Sequence, residues 1–287
     1  LLKVKQFKPD IIIAGPFPTT IGLYAYILSK IFKTKLVTLP CFHPQDPAFQ
    51  NQILLNILKK TDLIWTLSSY EQNYLKNKLK IDKNNFFVSP PGINLKPLKI
   101  IPQKPNTFNI LFLGNMAAHK RIELLIRAFA QINQKYPNTS LTIAGQKTLY
   151  YPQIKKEINT LSSQTKSNIK IFAKKYGSIQ LKKFLDQSHL LVNPSIHESF
   201  GIVFMEALSR GVPIIGSNIP NVSDLINSSQ AGLVFKKDNL DDLSKKITSL
   251  ISNQNLYKQF SQNGLKFSQA FNWPKIIKKL NEKIADL

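Results

Sequence analysis

Two glutamates and a basic pair carry the first sign of chemistry. Glu198 and Glu206 are separated by seven residues within Asn193-Pro194-Ser195-Ile196-His197-Glu198-Ser199-Phe200-Gly201-Ile202-Val203-Phe204-Met205-Glu206-Ala207-Leu208. Ser199, Phe200 and Gly201 read as the opening of a helix. Their N–H groups then lack an intrahelical acceptor and, with the positive end of the helix dipole, form a place for an anion. Gly201 lets a ligand come close to the backbone. A carboxylate beside such a place repels phosphate, so each glutamate suits hydroxyl donors instead, sugar hydroxyls above all. Taken singly, Glu198 would equally be a favourable charge at a helix start and Glu206 a solvated one. Lys120 and Arg121 also precede a helix, where cations are unfavourable. Two together point to an anionic ligand; the alternative is an ordinary basic surface. His43 follows a strand, and strand ends are where open α/β sheets place their ligands. An imidazole there could hydrogen-bond a sugar or move a proton, although a lone loop histidine is often incidental.

These residues need elements to hold them. Apolar runs read as strands over 10–14, 35–39, 63–67 and 86–88, alternating with helices over 19–32, 48–58 and 69–79. Such alternation means a parallel sheet with crossovers, each right-handed. Pro90-Pro91-Gly92 interrupts it, and Pro97, Pro102 and Pro105 fall in a stretch without periodicity. The pattern then resumes with strands over 109–113, 140–144, 168–172, 190–192, 212–216 and 232–235. Helices are expected over 122–135, 153–161, 179–187, 200–210, 240–252 and 256–271, with a last one from Pro274. Gly211 suits the left-handed residue that closes a helix. The expected division is a first domain over 1–96, a linker over 97–107, a second domain over 108–271 and a C-terminal helix over 272–287.

Composition narrows the class. A chain of 287 residues is long enough for two domains with separate cores. Its single cysteine, Cys41, excludes an internal disulfide and any cysteine-based metal site, and fits a reducing compartment. No apolar run has the length of a membrane span. The net charge of +23 comes almost wholly from lysine; the arginines are Arg121, Arg127 and Arg210. Nucleic-acid readers lean on arginine and on basic clusters flanked by aromatics; arginine is scarce here and such a cluster is absent from the sequence, so no nucleic-acid partner is expected. A lysine-rich solvated surface accounts for the charge, as does attraction to nucleotide sugars or to an anionic membrane face.

The string Pro194-Ser195 through Glu198-Ser199-Phe200-Gly201 to Glu206-Ala207 resembles the E-x7-E signature of the family 4 glycosyltransferases. Weaker likenesses run in the family's order along almost the whole chain. They are Lys8-Pro9-Asp10-Ile11-Ile12, Asp62-Leu63-Ile64-Trp65-Thr66-Leu67-Ser68 with Glu71, Pro90-Pro91-Gly92-Ile93-Asn94, and Leu111-Phe112-Leu113-Gly114-Asn115 through Lys120-Arg121 to Ala128-Phe129. The resemblance implies a GT-B fold, α/β, with two Rossmann-like parallel-sheet domains and a cleft between them. It implies a metal-independent, retaining transferase that moves a hexosyl-type unit from a nucleotide diphosphate sugar, without a cofactor, to a glycan, lipid-linked or other acceptor. By resemblance Lys120 holds the donor diphosphate together with Gly114, Ser199, Phe200, Gly201 and Ile202. Glu198 meets the donor sugar, Glu206 meets the ribose, and His43 lies near the transferred sugar. Asn115 stands where the family often has arginine, and Arg121 where it often has glycine, which leaves Arg121 to supply a second charge from a different point. Family members carry further strand–helix units ahead of the segment matching Lys8, so the resemblance implies a partial N-terminal domain.

The expected setting is the cytoplasm, at the inner face of a membrane if the basic surface serves attraction. Two other readings stay open: a nucleotide-sugar epimerase on the same fold, and a non-catalytic nucleotide-sugar-binding partner of an active transferase.

Overall fold

The computed structural model describes residues 2–42, 47–81, 85–198 and 200–287. His43 and Ser199 lie outside the described residues. The chain forms two compact units, Leu1–Gly92 with Trp273–Leu287, and Ile93–Asn272.

In the first unit the strands are β1 (Ile11–Ala14), β2 (Lys35–Thr38), β3 (Leu63–Thr66) and β4 (Phe86–Val88). They lie in the order β1-β2-β3-β4, all parallel. Val37, Leu63 and Ile64 are buried, as strands covered on both faces require. Helices Ile21–Phe32, Gln52–Lys60 and Ser69–Leu79 make the crossovers. Glu71, 3% exposed, ties two strand ends together. Its Oε1 accepts from the Phe42 N–H at 2.7 Å, after β2, and its Oε2 from the Leu67 N–H at 2.6 Å, after β3. The last helix, Trp273–Ala285, belongs to this unit and buries Ile276 and Leu280. Gly92 lies against it so closely that a Cβ there would come within 2.5 Å of the Trp273 ring.

The second unit holds β5 (Phe108–Leu113), β6 (Thr139–Ala144), β7 (Ile169–Phe172), β8 (Leu190–Asn193), β9 (Ile214–Ser217) and β10 (Gly232–Phe235). Their order is β10-β9-β8-β5-β6-β7, all parallel. This is the doubly wound order of a dinucleotide-type fold. Ile110, Phe112, Leu125, Phe129, Ile143 and Val192 form part of its core, each fully or nearly fully buried. The proline-rich stretch 97–107 lies in this unit. Lys104 Nζ donates to the carbonyls of Leu185 and Asp186, and the buried Arg210 donates to the Lys96 carbonyl and to Asp186.

Two helix expectations that bear on the loops of the second sheet need correction. A helix Pro220–Ser229 fills the connection between β9 and β10, where the sequence reading had none. Parallel neighbours cannot be joined without such a crossover, and Pro220 sits in its first turn, where proline is favourable. The helix expected from Phe200 begins at Ile202, because Gly201 has φ 76° and ψ 62°, a left-handed conformation outside the helical region. Its C-terminus follows the expectation: Gly211 has φ 65°, and the Val212 N–H donates back to the Ala207 carbonyl.

Candidate active site at the carboxyl ends of the second sheet

β5 is the strand at which the winding of the second sheet reverses, with β6 on one side and β8 on the other. Open α/β sheets bind ligands outside the carboxyl ends of the strands at such a switch point. The loops leaving β5 and β8 are therefore the place to look, and they carry Gly114–Arg121 and Pro194–Gly201 respectively.

The β5 loop is clamped to the loop after β6. The Met116 N–H donates to the Gln146 carbonyl at 2.9 Å, and Thr148 Oγ1 donates to the Met116 carbonyl at 2.6 Å. Gly145 makes the approach possible, since a Cβ there would stand 1.7 Å from the Gly114 carbonyl oxygen. Asn115 is exposed. A short 3-10 turn, Ala118–Lys120, leads into the helix Ile122–Lys135 through Arg121, whose φ of 51° is left-handed. That backbone costs a non-glycine residue roughly 1–2 kcal/mol, a cost that glycine would not carry. Lys120 runs back past Gly114: its Cε would be 3.9 Å from a Cβ placed there.

The β8 loop meets this turn directly. Its Ile196 N–H donates to the His119 carbonyl at 2.9 Å. Lys120 Nζ donates to Glu198 Oε1 at 2.5 Å, with the two side chains only 14% and 10% exposed. The same oxygen is reached by Asn193 Nδ2 at 3.1 Å and by Ser195 Oγ at 3.0 Å. Asn221 Nδ2, from the helix Pro220–Ser229, donates to the Glu198 main-chain carbonyl at 3.0 Å. Phe200 turns into the core, at 6% exposure. Gly201 abuts the ring of Phe204, 2.8 Å from where a Cβ would stand. Ile202 and Glu206 follow one turn apart on the same helix face. Burial pushes the Glu206 carboxyl up to about 7. Tyr176, in the loop after β7, is pushed up to about 12 by burial first and by the Glu206 charge second.

The structure thus brings Gly114, Lys120, Glu198, Gly201, Ile202 and Glu206 to one end of one sheet. Arg121 goes elsewhere. Its Nε donates to Asp238 Oδ1 at 2.7 Å and its Nη1 to Glu123 Oε1 at 3.1 Å, so two carboxylates of the same unit share its charge. His189 lies at the opposite, amino end of β8, stacked on Phe108 with centroids 4.7 Å apart, and burial pushes it down to about 4. His197 is exposed. Among the described residues no three of His, Cys, Asp and Glu are grouped as metal ligands. Also among them, no helix is long and apolar enough to cross a membrane.

Sequence reading missed Asn193, Ser195, Asn221 and Asp238 as members of these networks. Asn193 and Ser195 are each 1% exposed. An amide closing the apolar run Leu190-Leu191-Val192 was the available signal, because a buried amide needs partners.

Comparison with known proteins gives the family. The family described as Glycosyl transferases group 1 matches residues 98–267. An uncharacterized glycosyltransferase of Methanocaldococcus jannaschii is 29% identical over 230 residues, 79% of this chain and 61% of the relative. A poly(glycerol-phosphate) alpha-glucosyltransferase of Bacillus subtilis is 26% identical over 199 residues, 68% of this chain and 28% of the relative. The chain spans about three fifths of the length of the first curated relatives it matches. Among solved structures, Anabaena HepE in complex with UDP and glucose superposes with a TM-score of 0.82 at 18% identity, covering 100% of this chain and 81% of that one. At that identity the likeness is one of fold, the GT-B arrangement of two Rossmann-like parallel-sheet units. The match over residues 98–267 takes in every strand of the second unit and both loops of the site, and the chain belongs to the group 1 glycosyl transferases.

Proposed function

We propose that this protein is a glycosyltransferase whose second unit binds a nucleotide diphosphate sugar and releases the sugar to an acceptor. The observation that carries the reading is the Lys120–Glu198 pair at the switch point, beside the left-handed Gly201 and the first turn of the helix Ile202–Leu208. Departure of a nucleoside diphosphate builds negative charge that fixed donors must stabilise. Lys120 and the free N–H groups at the helix start would meet it from two loops. Glu198 would accept from hydroxyls of the transferred sugar, and Glu206 from those of the ribose. Gly114 leaves room for the phosphates beside Lys120. Asn115 and Arg121 border the site, Arg121 contributing only when drawn from Asp238 and Glu123.

Further parts of the proposal rest on resemblance. They are retention of anomeric configuration, transfer without a metal, Ser199 as a hydrogen-bond donor to the diphosphate, His43 near the transferred sugar, and a glycan or lipid-linked acceptor. The relative named for glucosylation of poly(glycerol phosphate) and the neighbour holding UDP and glucose favour a hexosyl donor and envelope-type polymers. Work at the cytoplasmic face of an anionic membrane would suit the charge of +23.

The test is release of nucleoside diphosphate from a panel of nucleotide sugars, with and without EDTA, by the wild type and by Lys120→Ala, Glu198→Ala and His43→Ala. Release that survives EDTA and falls at least a hundredfold in the first two variants supports the reading. Undiminished release in both removes it.

A further inference from the structure

Glu198 Oε1 is crowded with donors. It receives Lys120 Nζ at 2.5 Å, Asn193 Nδ2 at 3.1 Å and Ser195 Oγ at 3.0 Å. Beneath it the supporting pair is locked. Asn193 Oδ1 accepts from the Ser195 N–H at 3.3 Å, which fixes the amide so that Nδ2 faces Glu198; Ser195 Oγ lies 2.5 Å from that oxygen, and its one hydrogen serves either Asn193 Oδ1 or Glu198 Oε1. The backbones of the two loops are joined through Ile196 N–H and the His119 carbonyl. Lys120 can therefore leave Glu198 only by swinging its side chain, and Glu198 keeps neutral donors when it does.

Building on the donor-site reading above, we propose that Lys120 is handed between two anions. In the empty site it pairs with Glu198; in the loaded site it pairs with the donor diphosphate. Asn193 and Ser195 are the positioning residues that hold the Glu198 carboxylate aimed at the sugar once Lys120 has gone. The pair does two things. It keeps a largely buried cation and a largely buried carboxylate from standing unpaired without ligand, a costly condition in a partly desolvated site. It also makes Glu198 a competitor of the diphosphate, so that release of the product is aided by recapture of Lys120.

The chemistry separates this exchange from simple repulsion between Glu198 and phosphate. Binding of UDP, with GDP and ADP run alongside, is measured calorimetrically on the wild type, Glu198→Gln, Lys120→Ala and the double variant. Exchange predicts that Glu198→Gln tightens binding about tenfold in the wild-type background and leaves it unchanged in the Lys120→Ala background. The same gain in both backgrounds means repulsion alone and overturns the exchange, as does no gain in either. Nucleotide binding that is absent, or indifferent to Lys120→Ala, overturns the donor reading together with this one.

The positioning role is read from kinetics. Asn193→Ala should lower kcat for the sugar about tenfold or more while donor KM and the Kd for UDP stay within twofold. If this variant does not fold, as judged by its melting transition, Ser195→Ala is held to the same split. An equal loss in Kd and kcat, or no loss in kcat, refutes it.

Discussion

Glu206 offers a test that needs no substrate. Burial alone pushes its carboxyl from 4.5 up to about 7, so no neighbouring cation offsets the cost of ionising it. Between those two values the folded chain holds a proton that the unfolded chain has lost. Stability contributed by this group is therefore complete below 4.5, declines as pH rises, and is gone above about 7. Carrying a carboxyl from 4.5 to about 7 amounts to roughly 3 kcal/mol at pH 8. Glu206→Gln keeps the shape and removes the charge. It should melt with the wild type at pH 4 and above it at pH 8, by roughly 6–12 °C for a unit of this size. Glu71 titrates in both proteins, so its contribution cancels in the difference. Calorimetric melting at the two pH values reads the effect. An equal shift at both pH values, or a variant less stable than the wild type at pH 8, would mean that the carboxylate has a charged partner and would refute the argument. A group held at such a cost is ready to gain when ligand hydroxyls donate to it.

Three further outcomes follow from the packing. Glu71→Gln turns an amide N–H toward one of two buried backbone donors and should cost the first unit about 1–3 kcal/mol, read from its urea midpoint. Gly145→Ala drives a Cβ to 1.7 Å from the Gly114 carbonyl. It should weaken UDP binding and lower the melting temperature together, whereas an unshifted melting temperature would show that the two loops are not in contact. Asp238→Asn removes one of the two carboxylates on Arg121 and should leave stability within about 1 kcal/mol, since the pair is well exposed; a larger loss in chemical denaturation would contradict that.

Much of this was legible from residue types and spacing. The alternation of β5 to β10 with helices, Gly211 as a helix stop, and the Glu198–Glu206 block on a loop after a strand all follow from local pattern. What escaped was set by contacts distant in sequence. Lys120 and Glu198 are 78 residues apart, and only the insertion of β8 beside β5 joins them. Nothing local says that Arg121 turns to Asp238, 117 residues away, when Lys120 beside it does not. The helix Pro220–Ser229 was missed because its short apolar spacing is weak, although the crossover demanded it. The proline-rich stretch carries no local sign of its tie to the second sheet, because the Leu185 and Asp186 carbonyls that accept from Lys104 lie 81 and 82 residues along the chain.

The most direct test of the account is a crystal structure of this chain with UDP. The diphosphate should lie within hydrogen-bond distance of Lys120 Nζ and of the N–H groups at Gly201 or Ile202, beside Gly114, with the ribose hydroxyls on Glu206. Lys120 Nζ should have left Glu198 Oε1, while Asn193 Nδ2 stays on it. A nucleotide seated away from the β5 and β8 loops, or bound there with the Lys120–Glu198 pair intact, would contradict it.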